Sequence, residues 1–285
     1  MYQEYFGLNA YPFSLTPNTK FYANLPVHHQ CLQMALAALK LGEGLVKITG
    51  EVGTGKTLLC RQLLASLPQD RFYTAFIPNP YLSPSELRLS LAQELGLEVN
   101  RHQPEKMLLE TLYMRLQELA MQNLSVVLVV DEAQAMQVET LEALRLLTNL
   151  ETEESKLMQI MLFGQPELDV RLNQYNMRQL KQRITFSGYL RPLNFEETQQ
   201  YVHFRLSQAG YNGDLVFSPE AVRVIYRNTG GIPRLINIIC HKSLMLAYGA
   251  NTRTVTRKLV IRAVVDTDVS RSGALTWLKR RMSSS

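Results

Sequence analysis

Leu45-Val-Lys-Ile-Thr49 runs directly into Gly50-Glu-Val-Gly-Thr-Gly55-Lys56-Thr57. The first five residues read as a short buried strand, and Lys56 to Leu67 as a helix. The joint between them has the pattern GxxxxGK[ST], and that pattern decides the fold. Its glycines let the backbone turn with N–H groups facing inward, which makes a concave nest for an anion. The helix N-terminus adds partial positive charge at the same point. Lys56 is a mobile cation for the β- and γ-phosphates, and the Thr57 hydroxyl offers Mg²⁺ a hard oxygen. Gly50, Glu51, Val52, Gly53, Thr54, Gly55, Lys56, Thr57 and Leu58 form the candidate nucleotide-binding loop. The plain structural alternative is a glycine-rich turn with a solvated lysine.

Downstream, the apolar run Val126 to Val130 ends on Asp131-Glu132. In open parallel sheets ligands sit at the carboxyl ends of strands, where the loop also lies. Asp131 is therefore a candidate for the Mg²⁺ shell, partly through water, and Glu132 for the base that takes a proton from an attacking water. A strand leaving into solvent through polar residues is the bland alternative. The remaining strands are read at Phe72 to Ile77, Leu157 to Phe163 and Arg183 to Leu190. Helices are read over Val27–Leu41, from Ser83-Pro84 to Leu95, over Pro104–Met121, and along the face Val138, Leu141, Leu144, Leu147. Strands alternating with helices predict a parallel five-stranded sheet covered on both faces.

After Pro192 the pattern turns helical, with a start at Ser218-Pro219, a stop at Gly230-Gly231 and another start at Pro233. The expected division is a nucleotide-binding α/β domain over 1–190, a small all-α lid over 191–268 and a basic tail over 269–285. Residues 1–26, rich in aromatics and prolines, are expected to wrap the α/β body. Met107, Met114 and Met121 fall seven apart on one helix and read as a core stripe. The five histidines show no metal or catalytic spacing.

The chain has 285 residues, with Lys+Arg 30 against Asp+Glu 25 for a net charge of +5. That surplus permits contact with phosphates or anionic lipid without demanding it. Hydrophobic residues at 46% exclude a disordered or low-complexity chain. Cys31, Cys60 and Cys240 are far apart and form no CxxC pair, which argues against a disulfide framework or zinc site and for a reducing compartment. There is no secretory signal pattern, and no apolar run long enough to cross a bilayer, so a cytoplasmic chain is expected.

Asp131-Glu-Ala-Gln-Ala-Met136, Leu144-Arg-Leu-Leu-Thr-Asn-Leu-Glu-Thr152 and Gln159-Ile-Met-Leu-Phe-Gly-Gln-Pro-Glu-Leu168 resemble the AAA+ ATPases of the general secretion pathway protein A (ExeA/GspA) group. So do Tyr5-Phe-Gly-Leu, Pro12-Phe, Thr16-Pro, Met177-Arg-Gln-Leu-Lys-Gln-Arg183-Ile and Gly230-Gly-Ile-Pro-Arg234-Leu-Ile-Asn237. Within the group the chain is similar to the shorter, MshM-type members of MSHA pilus biogenesis, because it stops soon after the helical unit.

The resemblance implies a P-loop AAA+ fold, ATP and Mg²⁺ as cofactors, and ATP hydrolysis. Gln165 stands where the group senses the γ-phosphate, in place of the usual Asn or Thr; a turn-forming Gln before Pro166 is the alternative. Arg234 matches the lid arginine that closes on nucleotide in the same subunit, against a surface arginine. Arg183, then Arg178, are candidate fingers reaching a neighbouring subunit's site; each reads equally as a solvated arginine. Asn79 stands in the place of the residue that restrains the catalytic Glu, with an equal claim as a turn residue between prolines. The implied partners are further copies of the chain in an ATP-dependent homo-oligomer, and pilus or secretion machinery at the inner membrane, where the chain is peripheral. A DNA-associated switch, akin to transposition or replication-initiation ATPases, is the alternative. It is disfavoured because about 20 residues after Val265 are too few for a winged-helix reader.

Overall fold

The structure, a computed structural model, describes residues 2–78, 80–100, 103–151 and 156–267. Asn79 and the basic tail over 269–285 lie outside the described residues. The chain forms two compact units, one from residues 28–51 and 56–190, the other from residues 1–27, 52–55 and 191 onward. The strands are β1 (Leu45–Gly50), β2 (Phe72–Ile77), β3 (Ser125–Val130), β4 (Met158–Gly164) and β5 (Ile184–Leu190). The helices of the first half are α1 (Tyr2–Phe6), α2 (Pro26–Lys40), α3 (Lys56–Ser66), α4 (Pro84–Glu94), α5 (Glu105–Met121) and α6 (Val138–Leu147). They continue with α7 (Pro166–Leu172), α8 (Arg178–Gln182), α9 (Phe195–Gln208), α10 (Pro219–Thr229), α11 (Pro233–Gly249) and α12 (Arg257–Val265).

In the α/β unit the sheet order is β2-β3-β4-β1-β5, and every pairing is parallel. The central strands are covered on both faces, so β4 is buried at every position and β3 at all but its first. The edge strand β5 alternates between exposed and half-buried positions until Leu190. Register fixes what meets at the carboxyl edge: Val130 lies opposite Leu162, and Thr49 opposite Gly164. The loop after β1, the acids after β3 and Gln165 after β4 therefore leave adjacent strands at one edge.

Helix α4 starts where the sequence says. Ser83 accepts the Glu86 N–H, Glu86 accepts the Ser83 N–H in return, and Pro84 occupies the first turn. Helix α5 buries Leu108, Leu112, Leu116 and Leu119. The methionine stripe expected in the core is instead on the outside, with Met107, Met114 and Met121 exposed at 54%, 55% and 86%. A seven-residue spacing puts side chains on one face without saying which one. The denser leucine stripe offers more apolar area and takes the core side. All three cysteines are free and buried.

The helical unit starts from a second capping box, Asn194 with Glu197, whose carboxylate also receives Arg191. Helix α10 ends on Gly230 in the left-handed conformation. At Gly231 a side chain is excluded outright, since its Cβ would lie 1.8 Å from the Leu193 carbonyl oxygen. The opening segment, expected on the α/β domain, packs on this unit instead. Tyr2 Oη meets His241 Nδ1 at 2.8 Å, and the Asn9 N–H donates to the Ala209 carbonyl at 2.7 Å. Arg205 is buried, donates to the carbonyls of Pro12 and Ser14, and faces the Phe21 ring. The aromatics of this segment thus find their apolar surface on α9 and α11. No helix among the described residues is long and apolar enough to cross a membrane.

Candidate nucleotide site

Lys56 opens α3 and is only 5% exposed. Its ammonium donates to the carbonyls of Gly50 at 2.7 Å and Glu51 at 3.0 Å. Burial pushes its pKa below the ordinary lysine value, while the charges of Glu132, Asp131, Glu51 and Glu167 push it back up. A buried cation is costly unless bonded and compensated. Here the bonded partners are neutral carbonyls of the loop itself, so an anion entering the nest would replace weaker partners with stronger ones.

Asp131 is buried at the end of β3. Burial raises its pKa; hydrogen bonds from the Thr57 hydroxyl and the Glu132 N–H lower it, Glu132's charge raises it, and Lys56's lowers it. The Glu132 N–H reaches Asp131 Oδ1 at 2.9 Å. Thr57 and Asp131 thus present two hard oxygens bonded to one another. That donor set suits Mg²⁺, which takes one or two protein oxygens and completes its octahedron with phosphate and water. Among the described residues no group of three or more His, Cys, Asp or Glu forms a closed cage.

Glu132 has φ 53° and ψ 35°, the left-handed region that L-residues other than Asn and Asp seldom occupy. Its Oε2 accepts the side-chain amides of Gln134 at 2.6 Å and Gln165 at 3.1 Å. The loop's apex, residues 52–55, belongs to the helical unit. There the Arg234 N–H donates to the Gly53 carbonyl at 3.1 Å, and a Cβ on Gly53 (φ +83°) would fall 2.7 Å from that of Arg234. Thr54 is buried, Val52 is exposed, and the Arg234 side chain is exposed.

Lys56, Thr57, Asp131, Glu132 and Gln165 are therefore linked through one cluster of hydrogen bonds and charges. The other arginines make their contacts elsewhere. The Arg183 guanidinium donates to Thr148 Oγ1 at 3.2 Å, whereas Arg178 is exposed and lies 3.6 Å over the Tyr175 ring. Sequence reasoning missed Gln134, whose only signal is an amide two places after the acid pair. It also missed Asp169 on α7, which pairs with Lys47 and accepts the Thr49 hydroxyl at 2.9 Å. Lys47 was the clue, since a lysine inside an otherwise apolar strand needs a counter-ion.

Residues 40–172 match the model of a family described as the AAA domain. General secretion pathway protein A of Aeromonas hydrophila is 43% identical over 256 residues, which are 90% of this chain and 46% of that protein. The chain thus spans less than half the length of that curated relative. Among solved structures, Cdc6p of Pyrobaculum aerophilum superposes with a TM-score of 0.70 at 19% identity, over 92% of this chain and 71% of that one. The Holliday junction branch migration motor RuvB of Thermotoga maritima gives 0.56 at 15%, over 83% and 67%. At such identities these two likenesses speak for the fold alone. Loop, acid pair, sheet order and matches agree: the chain has the P-loop AAA+ fold, residues 40–172 match the AAA domain family, and similarity to general secretion pathway protein A runs through nine-tenths of its length.

Proposed function

We propose that the chain binds ATP with Mg²⁺ at the 50–58 loop, hydrolyses it with Glu132 as base, and uses the cycle to drive assembly of a secretion or type IV pilus machine. One observation carries this reading: a buried lysine parked on its own loop's carbonyls, with the charges of two carboxylates at the end of β3 acting on it. The inward N–H groups of the loop and Lys56 hold the phosphates, and Thr57 and Asp131 hold the metal. Mg²⁺ supplies charge neutralisation on the phosphate oxygens. Glu132 accepts a proton from the attacking water, and Gln165 registers the γ-phosphate. In this reading Arg234, whose backbone N–H donates to the Gly53 carbonyl, is the arginine of the helical unit that answers to nucleotide.

Hydrolysis in this class is completed by an arginine from a second subunit, so the working form is a homo-oligomer. Of the two candidates, Arg178 is exposed on Tyr175, while Arg183 is engaged with Thr148. That favours Arg178 as the finger. The secretion role draws its support from the relative's name and the length of the match; the pilus alternative and a position at the cytoplasmic side of the inner membrane belong to the same reading. The test is a pull-down from the native host with Glu132→Gln loaded with ATP. Recovery of secretion or pilus assembly proteins supports the reading; recovery of nucleic acid alone overturns it.

A further inference from the structure

We infer that Gln134 is a positioning residue that ties the hydrolytic base Glu132 to the γ-phosphate sensing turn at Gln165. The inference rests on the proposed role of Glu132. The amide of Gln134 works at both ends. Its Oε1 accepts the backbone N–H of Gln165 at 2.9 Å, and its Nε2 donates to Glu132 Oε2 at 2.6 Å. A backbone N–H only donates, so it fixes which end of the amide is oxygen and leaves the NH₂ for the carboxylate. The assignment therefore follows from chemistry rather than from choice of rotamer.

Three further features point to the same bridge. Gln165 Nε2 donates to the same Glu132 oxygen at 3.1 Å, which closes a ring of hydrogen bonds through both glutamines. Glu132 itself sits in the left-handed region at φ 53°, a conformation that persists only where neighbours over-determine it. Gly164, just before Gln165, makes room for the contact, since a Cβ there would lie 3.3 Å from Gln134 Oε1 and 2.9 Å from Leu168 Cδ2. With Oε2 held by two amides, Oε1 of Glu132 is the oxygen left to address water. A displacement of the sensing turn moves the Gln165 N–H, and through Gln134 it moves the base.

The test separates the two ends of the amide. Gln134→Met keeps the length and loses both bonds. Gln134→Glu keeps an acceptor for Gln165 but sets a carboxylate against Glu132. ATP turnover by the full chain should fall about tenfold or more with Met and further with Glu, with KM for ATP within about twofold of the parent. Combined with Glu132→Gln, neither substitution should lower the residual rate further, because the group it positions is already gone. Melting temperatures identify any loss of folding, and Gln134→Asn serves as a milder variant if Met or Glu fails to fold. Parental turnover in Gln134→Met, or a full additive loss in the double variant, overturns the inference while leaving Glu132 as base. If Glu132→Gln alone keeps the parental rate, the reading of the base fails instead.

Discussion

Arg205 in the helical unit and Lys56 in the α/β unit are both buried long cations, and the two are treated differently. Arg205 in the helical unit donates to the carbonyls of Pro12 and Ser14 and to the Tyr201 hydroxyl, which in turn donates to Asn237. Its guanidinium also faces Phe21, so apart from Tyr201 on its own helix its partners come from the chain's opening segment in the same unit. Lys56 in the α/β unit has two carbonyls of its own loop and a set of carboxylates nearby. The first cation cements chain segments together. The second is held by two neutral carbonyls, the kind of partner a phosphate would outcompete under the proposed function. Burial alone does not separate structure from function; the origin of the partners does.

The largest effect is expected at the base. Glu132→Gln should lower phosphate release about 10²- to 10⁴-fold while ATP affinity is retained. Lys56→Ala should weaken ATP binding about 100-fold or more, some 2.7 kcal/mol, measured by titration. The contrast sharpens without nucleotide. Arg205→Met should cost about 3 kcal/mol of folding stability, because it strands a buried hydroxyl and two carbonyls. Lys56→Met should cost under about 1 kcal/mol, since it removes a buried charge whose bonds are weak. Equal losses in denaturant midpoint for the two would break the comparison. Smallest is Tyr2→Phe, which removes the hydrogen bond to His241 and should lower stability by about 1 kcal/mol.

The site was legible where its signals are local. Glycine spacing marked the loop, an apolar run ending in Asp131-Glu132 marked the carboxyl edge, and Ser83-Pro84 marked a helix start. The order β2-β3-β4-β1-β5 was not legible, because pairing is decided between segments that no short window contains. The same holds for residues 1–27, whose aromatics declare a need for burial but not which surface meets it. Helix α7 carried a signal that went unread: Pro166 follows Gln165 as Pro84 follows Ser83, and Glu167 and Asp169 fill its first turn. The methionines misled because periodicity gives a face and not its direction. Gln134 left almost no trace, since its role is set by the two groups its amide spans.

Calorimetric titration of ATP into the Glu132→Gln chain, with and without Mg²⁺, tests most directly whether the loop and the acid pair serve one triphosphate–metal complex. The account predicts saturable one-site binding that tightens about tenfold or more with Mg²⁺. It also predicts that Asp131→Asn removes that gain and that Lys56→Ala weakens the binding about 100-fold or more. Absence of heat in both conditions, or an affinity indifferent to the metal and to Asp131, would contradict it.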